Sequence, residues 1–202
     1  TGKPKNRPVL DLHVGVITTS LGSHGTSACE PKLTNDRNDD RGHLLPRADE
    51  MVPGCPVLRP ATPLSWAFDP TKTPGTMYSG VAGSAPTQTM ASCIVQSAGE
   101  DGCGYEETWE SAYHFLIDPA PYASANVRCA FGDGGDACGN NKIEVKGVDS
   151  ELIAQRNAFL RKDSLLAVVI LSDENDASLK PASLNWIPWG YGAGQMQRGW
   201  AG

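Results

Sequence analysis

Three carboxylates and a hydroxyl fall within five positions at Ser172-Asp173-Glu174-Asn175-Asp176. Oxygen donors at that density suit a hard divalent cation, which takes six or more oxygen ligands. Asp173 and Asp176 are the candidate ligands for Mg2+ or Ca2+, directly or through water, with Ser172 or Glu174 assisting. This set does not complete such a shell, so further ligands have to come from elsewhere. The plain alternative is that Asp173 caps the next turn while Glu174 and Asp176 are solvated.

Other segments offer weaker chemistry. Asn35-Asp36-Arg37-Asn38-Asp39-Asp40-Arg41-Gly42-His43 has the composition of a calcium loop. An EF-hand would need Gly where Arg41 stands and an acidic residue where Arg47 stands, so an Asx-rich turn is the better reading. Asp133-Gly134-Gly135-Asp136 also reads as a turn. His13, His24, His43 and His114 are scattered, with His13 expected in a strand and His114 on or beside an exposed helix face. The chain has no HExxH, no GxSxG, no P-loop and no GxGxxG, so no enzyme is expected. Trp186, Trp189, Tyr191 and Trp200 crowd a Gly/Pro-containing tail and are candidate contacts for a glycan or a protein partner. The plainer and favoured reading is that they cover an apolar edge of the sheet.

Cys29, Cys55, Cys93, Cys103, Cys129 and Cys138 lie in polar or Gly/Pro-rich stretches, and no CxxC occurs. Such spacing argues against zinc and for disulfides formed in an oxidising compartment. Sequential pairing (29–55, 93–103, 129–138) would close short loops, one of 15 connectivities open to six cysteines. The net charge of −6 makes neither nucleic acid nor an anionic membrane an expected partner. No apolar run is long enough to span a bilayer. The sequence opens at Thr1 with neither an initiator Met nor a signal-peptide pattern, so a mature form or an excerpt is expected.

The acidic cluster needs an element to present it. Leu165-Leu166-Ala167-Val168-Val169-Ile170-Leu171 runs straight into it. Seven consecutive apolar residues suit a strand buried on both faces of a parallel sheet. Such a strand delivers its following loop to the carboxyl edge, where open α/β sheets bind ligands. An earlier strand is predicted at Leu10 to Ile17, and a short one at Leu64 to Phe68, with Met90 to Val95 another candidate. A helix is predicted over 105–117, with Tyr105, Trp109, Ala112, Tyr113 and Leu116 on one face and Glu106, Glu107 and Glu110 mostly on the other. A second helix runs from Asp149 or Ser150 to Arg161. Inserts occupy about 20–92 and 119–148, and a Gly/aromatic tail occupies 181–202. The order is an α/β pattern with decorated loops.

Four blocks occur in the right order: Leu12-His13-Val14-Gly15-Val16-Ile17-Thr18-Thr19-Ser20, Gly102-Cys103-Gly104-Tyr105-Glu106, Arg156-Asn157-Ala158-Phe159-Leu160-Arg161, and Ala167 to Ser178. Together they resemble a von Willebrand factor A-like domain of the myxobacterial-type secreted or lipoprotein subgroup, over about a third of the chain. The resemblance implies a doubly wound, Rossmann-like sheet with a metal-ion-dependent adhesion site at its carboxyl edge. Of that site's residues only the Asp after the fourth strand carries over, onto Asp173. The Asp-x-Ser-x-Ser motif would lie upstream of Thr1. The second-loop Thr has no counterpart, because Gly104-Tyr105-Glu106-Glu107 occupies that region and Thr108 is already helical. Residues 1–202 thus read as one incomplete domain, expected to be completed by additional polypeptide.

Two functions follow as expectations. One is an extracytoplasmic binding or adhesion module, secreted, periplasmic or on the outer cell surface, with a divalent-metal site at the sheet edge. The other is a structural component of a cell-surface or envelope assembly with no working metal site.

Overall fold

A computed structural model describes residues 11–22, 38–45, 55, 64–67, 76–78, 87–99, 102, 106–128 and 142–178. In chain order the elements are β1 (Asp11–Val14), β2 (Leu64–Ala67), β3 (Thr76–Tyr78), α1 (Thr87–Ala98), α2 (Thr108–Leu116), β4 (Ser124–Arg128), β5 (Lys142–Lys146) and α3 (Ser150–Phe159). Strand β2 pairs antiparallel with both β1 and β3, setting Leu12 opposite Trp66 and Trp66 opposite Met77. Strands β4 and β5 form a separate antiparallel pair, Ser124 opposite Lys146 through Arg128 opposite Lys142. Every pairing among the described strands is antiparallel. The expected insert at 119–148 therefore carries a β-ribbon, and the insert at 20–92 carries β2, β3 and the start of α1.

The predicted strand at Met90 to Val95 is corrected: it lies inside α1. Cys93, Ile94 and Ser97 are its buried residues, and their i, i+1, i+4 spacing is one face of a helix. Ile94 and Val95 are β-branched, but a helical contact face outweighs so small a local preference. Cys93 is joined to Cys55, with Cα atoms 5.7 Å apart across 38 residues. That bond corrects the sequential pairing, since it uses one cysteine from each of two expected pairs. Closing a loop of this length stabilises by about 4 kcal/mol in the chain-entropy account. Cys29, Cys103, Cys129 and Cys138 lie outside the described residues.

A small apolar core joins α2, α3 and the chain after β1. Leu44, Phe115 and Leu152 are buried, and Ile17, Leu116 and Phe159 pack on them. The Phe115 and Phe159 rings meet at 5.8 Å. Gly15 lets the chain approach this closely: a Cβ there would fall 2.6 Å from Leu44 Cδ2 and 3.2 Å from the Phe159 ring. Leu45 N donates to Val16 O at 2.8 Å and Leu44 N to Gln155 Oε1 at 2.7 Å, tying the 38–45 segment to both β1's continuation and α3.

Helix α3 forms where its sequence signals place it. Asp149 is the N-cap, its Oδ1 accepting from Leu152 N at 2.9 Å, and Glu151 in the first turn favours the positive helix end. Helix α2 begins at Thr108 rather than Tyr105 and is only nine residues long. Its expected apolar face is also corrected. Trp109 and Tyr113 are exposed, whereas Ser111, His114 and Phe115 are buried, with Glu107 just before them. The buried stripe is largely polar, and of the described residues on the expected apolar face Leu116 alone packs on the core. His114, expected on the exposed face, is fully inside.

Residues 165–171 differ most from expectation. They form no strand with any described residue, and their side chains are exposed. A parallel-sheet strand is buried only when neighbours and helices cover it, and no described element does so here.

Candidate functional site

Two polar centres flank α2. The first is the acidic edge at its N-terminus. Ala177 N donates to Glu106 O at 2.7 Å, which lays the loop after residue 171 along the start of α2. Glu107, the cap residue of α2, makes no side-chain cap hydrogen bond. The open N–H groups are instead satisfied from the distant loop. Trp109 N donates to Asp176 Oδ1 at 3.0 Å, and Glu110 N donates to Ser178 Oγ at 2.9 Å. Ser178 Oγ in turn donates to Asp176 Oδ1 at 2.7 Å, and Ser178 N to Asp176 Oδ2 at 3.3 Å. Asp176 therefore acts as a helix cap supplied from 67 residues away, with its negative charge at the positive end of the helix.

The other three candidate ligands divide in the same way. Ser172 closes a local turn, its Oγ donating to Glu174 O at 3.1 Å and accepting from Glu174 N at 3.2 Å. Asp173 and Glu174 are exposed and stand near Glu106. Burial raises the Glu106 carboxyl pKa above its ordinary value, and the neighbouring charges of Glu174 and Asp173 push it the same way. A hydrogen bond with the Thr19 side chain partly offsets them. The edge thus gathers Glu106, Asp173 and Glu174, of which sequence reasoning had assigned a cation role only to the last two. They gather negative charge at one edge but do not form a closed ligand set. Among the described residues, no three His, Cys, Asp or Glu side chains are grouped to hold an ion.

The second centre lies where the 38–45 segment meets α2 and α3. Asp40 N donates to Ser20 O at 3.0 Å, and His43 N donates to Asp40 O at 2.9 Å. Arg41 and Gly42 between them both have positive φ, the pattern of a type I′ turn. Gly42 suits this turn twice over, because a Cβ there would also lie 3.3 Å from His114 Cδ2. The turn aims His43 Nε2 at Asp149 Oδ2, 2.7 Å away, with Gln155 Nε2 3.4 Å from Nδ1. Burial alone would raise the Asp149 pKa, but the Leu152 N–H, His43 and the charge of Arg41 hold it below the ordinary carboxylate value. The partial calcium-loop composition at 38–43 is therefore spent on a turn and on positioning His43.

His114 completes this centre. Burial lowers its pKa, against the opposing pull of Asp118, so the ring is held neutral. Asp118 Oδ2 is 3.3 Å from Nδ1 but poorly aligned, and the ring packs on Tyr122 at 4.7 Å. Burial raises the Tyr122 hydroxyl pKa, with Glu107, Glu110, Asp39 and Asp118 adding to it. The hydrogen bonds of His43 to Asp149 and of Gln155 to the 38–45 segment brace the turn against α3.

Arg156 is the residue sequence reasoning missed. Its guanidinium donates to three carbonyls at the end of α2: Phe115 O through Nε, Asp118 O at 2.7 Å and His114 O at 2.8 Å. A cation there suits the negative helix end. An arginine one turn before the end of a helix was its only signal, and that signal does not point to a neighbouring helix.

Trp186, Trp189, Tyr191 and Trp200 lie outside the described residues, as do His24 and the 133–136 turn. No described helix is long and apolar enough to cross a membrane. Comparison with protein-family models, with curated proteins and with solved structures finds no match for this chain.

Proposed function

We propose that this chain is an extracytoplasmic binding or adhesion module of the von Willebrand factor A-like type, working through the acidic edge. The observation that supports it is the seating of the loop after residue 171 against the start of α2. It brings Asp173 and Glu174 beside Glu106, so one residue from each of two blocks of the resemblance and its neighbour meet at one edge. The disulfide between Cys55 and Cys93 accords with an oxidising compartment. On this reading a protein partner or further polypeptide completes the sheet, and a divalent cation is attracted by the three carboxylates.

A second reading, a structural component of an envelope assembly without a working metal site, is favoured by one observation. Asp176 and Ser172 are already engaged, as helix cap and turn. Thermal unfolding with millimolar Ca2+ or Mg2+, and with EDTA, separates the two. The binding-module reading expects the cation to raise Tm, with Asp173→Ala removing the rise. A Tm indifferent to cation and to EDTA, with unchanged partner binding, leaves the structural reading.

A further inference from the structure

The turn at 40–43 is held to α3 and to α2 by different means. On the α3 side His43 Nε2 meets Asp149 Oδ2 at 2.7 Å, and Leu44 N donates to Gln155 Oε1 at 2.7 Å. On the α2 side the tip packs on the His114 ring, Gly42 lying so close that a Cβ would come 3.3 Å from Cδ2. The His114 side chain is 1 % exposed, and the Tyr122 ring covers it at 4.7 Å. A buried imidazole seals such a joint only while it is neutral, because an ion withdrawn from water is costly unless well paired.

A proton on His114 would be poorly paired. Asp118 Oδ2 stands 3.3 Å from Nδ1 but is poorly aligned, and Asp118 Oδ1 already accepts from Ala120 N. At the start of α3, Asp149 is committed on both oxygens, to His43 and to Leu152 N. Two groups oppose a cation: His43 from the turn when it is protonated, and the Arg156 guanidinium from α3, which donates to His114 O. Arg41 at the tip acts on Asp149, while Glu107, Glu110 and Asp39 face the Tyr122 hydroxyl. Burial outweighs the attraction of Asp118 and Asp149, and the ring binds a proton less readily than in water.

We propose that His114 and the turn at 40–43 form an acid-operated latch: a proton on the imidazole lifts the tip off α2 and leaves the turn hinged on α3. The open ring is hydrated and takes the proton; the closed ring resists it. Closure is therefore firm above the ordinary imidazole pKa of about 6.5 and weakens as pH falls below it. The contact with α3 outlasts that change, because the Asp149 carboxyl is held below its ordinary pKa and stays ionised. Leu44, packed with Phe115 in the core, fixes the other end of the hinge.

Opening reaches beyond the tip. Asp40 N donates to Ser20 O at 3.0 Å, and Thr18 Oγ1 donates to Asp40 Oδ2 at 2.7 Å. Thr19, between them, accepts from Glu107 N at 3.0 Å. Acid therefore loosens the 18–20 stretch and the entry to α2 together with the tip.

Amide exchange of the full chain between pH 7.5 and 5.0, corrected for its intrinsic pH dependence, tests the latch beside an NMR titration of the histidine rings. EDTA is present throughout. Exchange at His43, Asp40 and Glu107 should accelerate as pH falls, by up to about thirtyfold at pH 5.0, the ceiling set by an open ring of pKa ~6.5. Ile153 N, bonded to Asp149 O in α3, should keep its protection. The acceleration should track protonation of the His114 ring and vanish in His114→Gln, which stays neutral. Glu106→Gln removes the other group whose pKa is raised toward this range and should leave the acceleration intact. The wild-type chain decides the matter even where His114→Gln does not fold: a His114 ring that titrates while His43 and Asp40 stay protected overturns the latch. Protection unchanged down to pH 5.0 overturns it too. So does acceleration that persists in folded His114→Gln or disappears in Glu106→Gln, and so does an equal loss at Ile153, which is global unfolding.

Discussion

Helix α2 and residues 165–171 are both too short to stand alone, and the molecule treats them in opposite ways. An isolated helix of nine residues is marginal in water. Yet α2 has its first N–H groups met by Asp176 and Ser178, and its last carbonyls met by Arg156. Residues 165–171 have the stronger local preference, with seven apolar side chains in a row, and receive no such partners from the described residues. What secures a short element is therefore the satisfaction of its ends and edges from elsewhere. Intrinsic propensity ranks the two segments in the wrong order.

The largest test of that contrast is Arg156→Met. It keeps most of the aliphatic stem but strands three carbonyls, and the expected cost is about 2–4 kcal/mol in urea unfolding. Val169→Ser, within residues 165–171, should change stability by less than about 0.5 kcal/mol because the side chain is already in water. Equal effects would remove the distinction between the two regions.

A smaller effect belongs to Asp176→Ala. Loss of the remote cap should cost about 1 kcal/mol without any added cation, and amide exchange at Trp109 should accelerate. An unchanged stability in EDTA would mean that Asp176 has no capping role. The smallest change is expected from Glu106→Gln. Burial raises the folded-state pKa of Glu106, so its charged form is disfavoured in the native state and the penalty is full above that pKa. The variant should therefore have a slightly higher Tm at pH 7, the difference fading as pH falls toward 4.5 and below. A lower Tm at pH 7 would show that the bond to Thr19 outweighs the repulsion from Asp173 and Glu174.

Local signals were legible wherever a local contact decides the outcome. Asp149 followed by Glu151 marked the start of α3, and the Leu64 to Phe68 stretch marked β2. The buried face of α2 was not legible, because Ser111 and His114 are polar and their burial depends on the 38–45 turn and Tyr122. Nor could the role of Asp176 be read, since an acidic residue in a loop looks the same whether it faces an ion, water or a helix end 67 positions away. Arg156 was hidden for the same reason. The part of the site carried by the order of segments, Glu106 beside Asp173 and Glu174, was half visible: one side of it came from the acidic cluster itself.

The remote cap on α2 has a temporal side. During synthesis Trp109 emerges long before Asp176, and the intervening residues take seconds to add at ordinary elongation rates. For most of that interval the helix has Phe115 and His114 but neither partner, since Arg156 itself is added only about 20 residues before Asp176, so during synthesis it is not an early nucleus. The helix at the centre of the described core is among the last pieces to be finished, and its completion reports that the chain has been made through Ser178.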